Sequence, residues 1–157
     1  MLAKRRLTEA ALFAKLEQKG YPEDEIRAAV ERCKRERYVD DRLFAQFYVE
    51  SALERRNVGN RRIMAELVRK GIDPEAARDA VNGDGRSERR RAEDAMEKML
   101  RLDPDRSYAS VARAMERLGF PTPLIYDLLR RHAARFGPLA GMAMEQIDSD
   151  DHHHREE

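Results

Sequence analysis

Leu67-Val68-Arg69-Lys70-Gly71-Ile72 is the phrase on which the fold turns. The same phrase occurs earlier as Leu16-Glu17-Gln18-Lys19-Gly20-Tyr21 and later as Met115-Glu116-Arg117-Leu118-Gly119-Phe120. A second apolar stripe follows each copy: Ile26 and Val30, then Ala77 and Val81, then Ile125 and Leu129. The copies begin 51 and then 48 residues apart. A period of that size is the signature of a small helical unit stacked several times. Such stacks bury apolar faces between neighbours and suit the gripping of an extended partner.

Working outward, the apolar spacing is helical everywhere and nowhere alternates as a strand does. Helices are expected over 8–19, from Pro22 to about Cys33, 40–56, 60–70, from Pro74 to about Val81, 87–102, 107–118 and 122–135. Gly20, Gly71 and Gly119 stop helices, because the left-handed residue past a helix end costs glycine nothing. Pro22 and Pro74 read as first helical residues, where the missing N–H does no harm. Asp40-Asp41 reads as an N-cap pair rather than a catalytic pair. Asn57 to Asn60, centred on Gly59, reads as a break.

The unit is therefore three helices: a long one, the Lys-Gly helix and the Pro-started helix. The fold class is all-α, with tandem three-helix repeats in an elongated, curved array. The repeats are bounded at 1–38, 39–85 and 86–136, and 137–157 reads as an acidic, disordered or weakly helical tail. The first repeat lacks most of its first helix. Lys4-Arg5-Arg6 aligns with Arg55-Arg56-Asn57, so the chain begins near the end of a helix whose body is missing. Either the natural protein starts short or its start has been lost.

Composition narrows the function. Charged residues are 39% and aromatics 6% of the 157 residues, which fits thin apolar stripes under broad solvated faces. The formal net charge of +1 is uninformative, but its distribution is not. Arg55, Arg56, Arg61, Arg62, Arg69 and Lys70 stand against Glu66 alone over 55–70. Arg86, Arg89, Arg90 and Arg91 form a second cluster at a helix start, where positive charge opposes the helix dipole. Residues 145–157 carry the opposite sign. The basic clusters read either as solvated faces or as a contact surface for an acidic protein or for nucleic-acid phosphates.

Cys33 is the single cysteine and is expected to be a reduced core thiol. No apolar run approaches a membrane span and no secretory h-region follows the N-terminus, which points to the cytoplasm. No phosphate loop, metal-ligand spacing or partnered nucleophile is present. His132 reads as a surface residue of a basic helix, and His152 to His154 as an adventitious cluster in the tail. Tyr38, Phe44, Phe47 and Tyr48 are expected in the core rather than as base-stacking platforms. No enzyme activity and no cofactor is expected.

Read in order, several residues carry a resemblance: Leu16-x-x-Lys19-Gly20-Tyr21, Tyr38-Val39-Asp40-Asp41-x-x-Phe44-Ala45, Tyr48, and Gly59-x-x-Arg62-Ile63-x-x-Glu66-Leu67-x-x-Lys70-Gly71-Ile72. This combination resembles the bacterial RecX family, well over residues 4–82 and more loosely to about 133. The resemblance implies a non-enzymatic regulator that binds RecA and modulates, usually inhibits, its filament on single-stranded DNA. It implies a place in homologous recombination, DNA repair and the SOS response, and a monomer lodged in the filament's groove. The candidate RecA- or DNA-contact residues are Arg55, Arg56, Arg61, Arg62, Arg69, Lys70, Arg89 and Arg90. The other reading is a stand-alone DNA-binding module using the Arg55–Lys70 surface. The third repeat departs from the pattern, with Leu118 where the first two have lysine.

Overall fold

A computed structural model describes residues 7–142. Among them are eight helices and no strand: α1 (Glu9–Gln18), α2 (Glu23–Arg35), α3 (Asp41–Arg55), α4 (Asn60–Arg69), α5 (Pro74–Gly83), α6 (Glu88–Leu102), α7 (Tyr108–Arg117) and α8 (Thr122–Phe136). The all-α, three-helix-repeat reading holds. The Lys4–Arg6 alignment and the His152–His154 cluster lie outside the described residues. No described helix is long and apolar enough to cross a membrane.

The repeated phrase is a Schellman turn written three times. Gly20, Gly71 and Gly119 have φ of 84°, 84° and 88°. Their N–H groups donate to the carbonyls of Glu17, Val68 and Glu116, each at 2.9 Å. The next residue's N–H reaches back to the leucine or methionine that opens the phrase: Tyr21 to Leu16, Ile72 to Leu67, Phe120 to Met115, at 3.4, 3.1 and 3.3 Å. Both otherwise orphaned carbonyls are thereby satisfied, and apolar residues at the two ends of the phrase give the motif its hydrophobic contact. A fourth such turn ends α2, with Arg37 at φ 57° in place of glycine. There Tyr38 N–H donates to Cys33 C=O at 2.9 Å.

Helix starts are fixed by side chains. Thr8, Asp40, Asp73, Ser87 and Ser107 each accept a hydrogen bond from a first-turn N–H. Pro74 stands at the first position of α5 as expected, whereas Pro22 is the N-cap of α2, one residue outside the helix.

The chain divides into two compact units, 7–56 with 63–86, and 57–62 with 87–142. In the first, Ile26, Val30, Val39, Ala45, Val49, Ile63, Leu67, Ile72, Ala77 and Val81 are buried. α1 contributes Leu12, Phe13 and Leu16 only half-buried. Thr8, 2% exposed, both caps α1 and donates from Oγ1 to the Lys70 carbonyl at 2.9 Å. Asp41, read as a cap of its own helix, accepts instead from the Glu9 N–H of α1 at 2.9 Å. A Cβ on Gly71 would fall 2.2 Å from Ala10 Cβ, so the α4 turn and the start of α1 pack without a side chain between them.

The second unit repeats these contacts. Gly59 N–H donates to the Leu118 carbonyl at 2.8 Å, and Asn60 N–H to Glu88 Oε1 at 2.7 Å. A Cβ on Gly59 would lie 2.1 Å from the Gly119 oxygen, so this glycine is a packing residue as well as a break. The core joins Ala92, Ala95, Met96, Val111, Met115, Phe120, Ile125, Leu128 and Leu129. Past Gly137 the chain folds back. Leu139 is buried in that core, Met142 packs against it, and Ala140 C=O accepts from Tyr108 N–H at 2.9 Å.

Candidate interaction surface

In the first unit, Arg55 closes α3, Arg69 closes α4 and Lys70 follows it; all three are exposed. Positive charge at a helix C-terminus is electrostatically favoured, so their placement costs the fold nothing. Lys70 Nζ also sits 5.4 Å from the Tyr48 ring centroid, within cation–π range. Arg56 is different, because its Nη1 and Nη2 donate to Glu66 Oε1 and Oε2 at 3.0 and 2.8 Å. Tyr48 Oη donates to the same carboxylate at 2.7 Å. The Glu66 side chain is 11% exposed, so this is a half-buried, bidentate network rather than a solvated pair. The hydrogen bonds that Arg56 donates to Glu66 raise its pKa against the opposing effect of burial. Burial first, and the Glu66 bond second, push the Tyr48 hydroxyl up. Arg56 is thus a structural member of α3–α4 packing before it is a contact residue.

In the second unit, Arg61 and Arg62 lie exposed on the first turn of α4. Arg62 Nη1 reaches the Arg117 carbonyl at 3.4 Å, which brings Arg117 at the end of α7 beside them. Arg89 Nη1 pairs with Asp127 Oδ2 of α8 at 2.7 Å, and Arg131 Nε approaches the same oxygen at 3.1 Å. Burial raises the Asp127 carboxyl, but the Arg89 and Arg131 hydrogen bonds outweigh it and hold the pKa below the usual value. Arg90 is exposed.

Arg91 corrects the reading of a second basic cluster. It is 5% exposed, donates from Nε to the Val58 carbonyl at 3.0 Å, and bonds to the Asn60 side chain. A buried guanidinium is retained because its donors are used. The cost of placing arginines at the start of α6 is therefore met by Asp127 and by the Val58–Asn60 segment.

The aromatic expectation is overturned in part. Tyr38 is 74% exposed and Phe47 49% exposed. Phe44 and Tyr48 are half-buried, with centroids 6.2 Å apart. Tyr38 lies in the turn after α2 rather than on a helix face, and it is its neighbour Val39 that goes inward. Cys33 is a free thiol and only half-buried. His132 is half-buried too, its pKa lowered by desolvation, with its ring 5.0 Å from Phe136.

Glu66, read in the sequence only as a lone negative charge, is the organising residue of the first cluster, and Arg117 is an unforeseen neighbour in the second. Of the eight candidates, Arg55, Arg61, Arg69, Lys70 and Arg90 present exposed cationic side chains, Arg62 is exposed but bonded to the Arg117 carbonyl, and Arg56 and the exposed Arg89 are engaged in ion pairs.

Known proteins share this arrangement. Residues 1–33 match the family model described as RecX, first three-helix domain, and residues 40–81 the one described as RecX, second three-helix domain. The Regulatory protein RecX of Mycolicibacterium vanbaalenii is 34% identical over 145 residues, covering 85% of this chain and 79% of that protein. That of Syntrophotalea carbinolica is 31% identical over 135 residues, 81% of this chain and 88% of that one. Among solved structures, RecX from Lactobacillus salivarius superposes with a TM-score of 0.73 at 21% identity, over 83% of this chain and 88% of that chain. The fold, the order of its motifs and the relatives' identity together place the chain in one group: it belongs to the RecX family.

Proposed function

We propose that this protein binds RecA and inhibits the RecA filament on single-stranded DNA, acting as a regulator without catalysis of its own. The observation that carries the reading is the set of exposed cationic side chains, Arg55, Arg61, Arg69 and Arg90, that make no hydrogen bond or ion pair among the described residues. These charges are unspent by the fold, and they sit on a family scaffold whose relatives are named regulatory proteins. Positive charge favours association with an acidic groove or with bound DNA, and salt weakens it. Seated there, the protein changes filament growth by occupying space and by neutralising charge between neighbouring protomers.

A second reading, a stand-alone DNA-binding module, is favoured by the exposed Arg61 and Arg62 beside Arg117. Guanidinium groups suit phosphate contacts. The two readings separate in a pull-down of RecA from lysate with and without nuclease. Capture that survives nuclease supports the RecA reading. Capture lost with the nucleic acid, together with tight DNA binding and a steep salt slope without RecA, supports the second.

A further inference from the structure

The three glycine Schellman turns are alike in backbone but not in surroundings. The α4 turn at Gly71 is covered by the start of α1: Ala10 lies where a Cβ would be, and Thr8 Oγ1 donates to the Lys70 carbonyl. The α7 turn at Gly119 is covered by the start of α4: Arg62 and Gly59 press on it, and Gly59 N–H donates to the Leu118 carbonyl. Beside each contact, the first N–H of the covering helix meets a carboxylate from the first residue of the next long helix, Glu9 to Asp41 and Asn60 to Glu88. The molecule thus uses one socket and one plug twice.

The third socket and the third plug are both present. The α1 turn at Gly20 has nothing described within 4 Å of a Cβ, and the Lys19 carbonyl accepts no hydrogen bond among the described residues. Tyr21 is 51% exposed, while its counterparts Ile72 and Phe120 are each 2% exposed. The third plug is the start of α7, where Tyr108 corresponds to Glu9 and Asn60. Its N–H is taken by the Ala140 carbonyl of the strap 137–142, whose Leu139 is buried in the core. A backbone carbonyl stands where a carboxylate stands in the other two.

We propose that the Gly20 turn is a docking socket for the start of α7 in a second copy of this chain, and that the strap 137–142 holds that plug closed in the single molecule. The occupant follows from continuity with the two joints already built. What seats on Gly71 and Gly119 is the first turn of the Lys-Gly-type helix of another repeat, and α7 is the helix of that type whose start is covered by a strap. The contact joins two different surfaces of the chain, the Gly20 turn of one copy and the start of α7 of the next, so the copies associate through plug and socket. A partner that removed the strap would convert single molecules into associated copies. The inference does not depend on RecA being the partner.

The test uses full-length chains in sedimentation velocity across a wide range of loading concentrations. Leu139→Asp expels the strap, and it should strengthen self-association by about tenfold or more over the unmodified chain. Adding Gly20→Asn, which keeps the left-handed turn but fills the socket, should return the protein to the unmodified chain's sedimentation. Leu139→Ala, which thins the strap without a buried charge, decides the matter if far-UV circular dichroism shows Leu139→Asp unfolded. Folded strap variants that sediment like the unmodified chain overturn the proposal. So does association that Gly20→Asn leaves intact, since this marks non-specific contact through an opened core. A Gly20→Asn single variant that loses as much thermal stability as Gly71→Asn also overturns it, because the socket is then already filled within the molecule.

Discussion

Alanine at Gly71 and at Gly20 separates backbone strain from packing in one comparison. Both glycines have φ of 84°, end helices with the same pair of hydrogen bonds, and follow a lysine. A side chain in the left-handed region costs roughly 1–2 kcal/mol. Restricting the unfolded chain returns about 0.4–1 kcal/mol of that. Both contributions are common to the two sites, so Gly20→Ala should cost about 1 kcal/mol. At Gly71 the new Cβ would lie 2.2 Å from Ala10 Cβ, and α1 must shift. Overpacking of that kind costs about 1–3 kcal/mol more. The shift also strains the Thr8–Lys70 hydrogen bond, worth about 0.5–1.5 kcal/mol. The excess of Gly71→Ala over Gly20→Ala is therefore about 2–4 kcal/mol, a further fall in Tm of about 5–15 °C for a chain of this size. Urea denaturation followed by far-UV circular dichroism measures it. Equal losses at the two sites would mean that the start of α1 does not rest on the α4 turn.

Other outcomes follow from single contacts. Arg37→Gly should stabilise the protein by up to about 1 kcal/mol in the same urea assay, since it relieves a left-handed arginine in the α2 turn. Arg91→Ala should cost about 2–3 kcal/mol, because it strips the buried Val58 carbonyl of its donor. Asp127→Asn tests a pH dependence. The folded pKa of Asp127 is lowered, so its stabilisation is present above the ordinary carboxylate value and lost as pH falls through the depressed one. The difference in Tm between Asp127→Asn and the unmodified chain should be full at neutral pH and vanish in acid. A difference that grew on acidification would contradict the ion-pair assignment.

What was legible in the sequence was local. The Schellman phrase is written within six residues, so its glycine, its apolar ends and its helix stop can be read directly, and the helix bounds follow within a residue or two. The joints were not legible, because Thr8 donates to a backbone carbonyl 62 residues away and a carbonyl carries no residue identity. For the same reason Arg91 read as one more surface charge, although its Nε partner is a main-chain oxygen. Glu66 looked like a dilution of the basic run. Only the approach of α3 to α4 puts Arg56 and Tyr48 on its two oxygens. Helical periodicity extended across the turn puts Tyr38 inward, but Arg37 reverses the chain there, leaving Tyr38 exposed and Val39 buried.

A role for Arg55, Arg61 and Arg69 at a RecA filament is open to direct test. The most direct measurement is RecA's DNA-dependent ATP hydrolysis, titrated with this protein and with a triple variant Arg55→Glu, Arg61→Glu, Arg69→Glu that keeps the Glu66 and Arg91 networks. The unmodified protein should lower hydrolysis at ratios well below one per RecA protomer, and the variant, folded by circular dichroism, should require far more protein for the same effect. No change in hydrolysis at any ratio, or equal potency of the two proteins, would contradict that role.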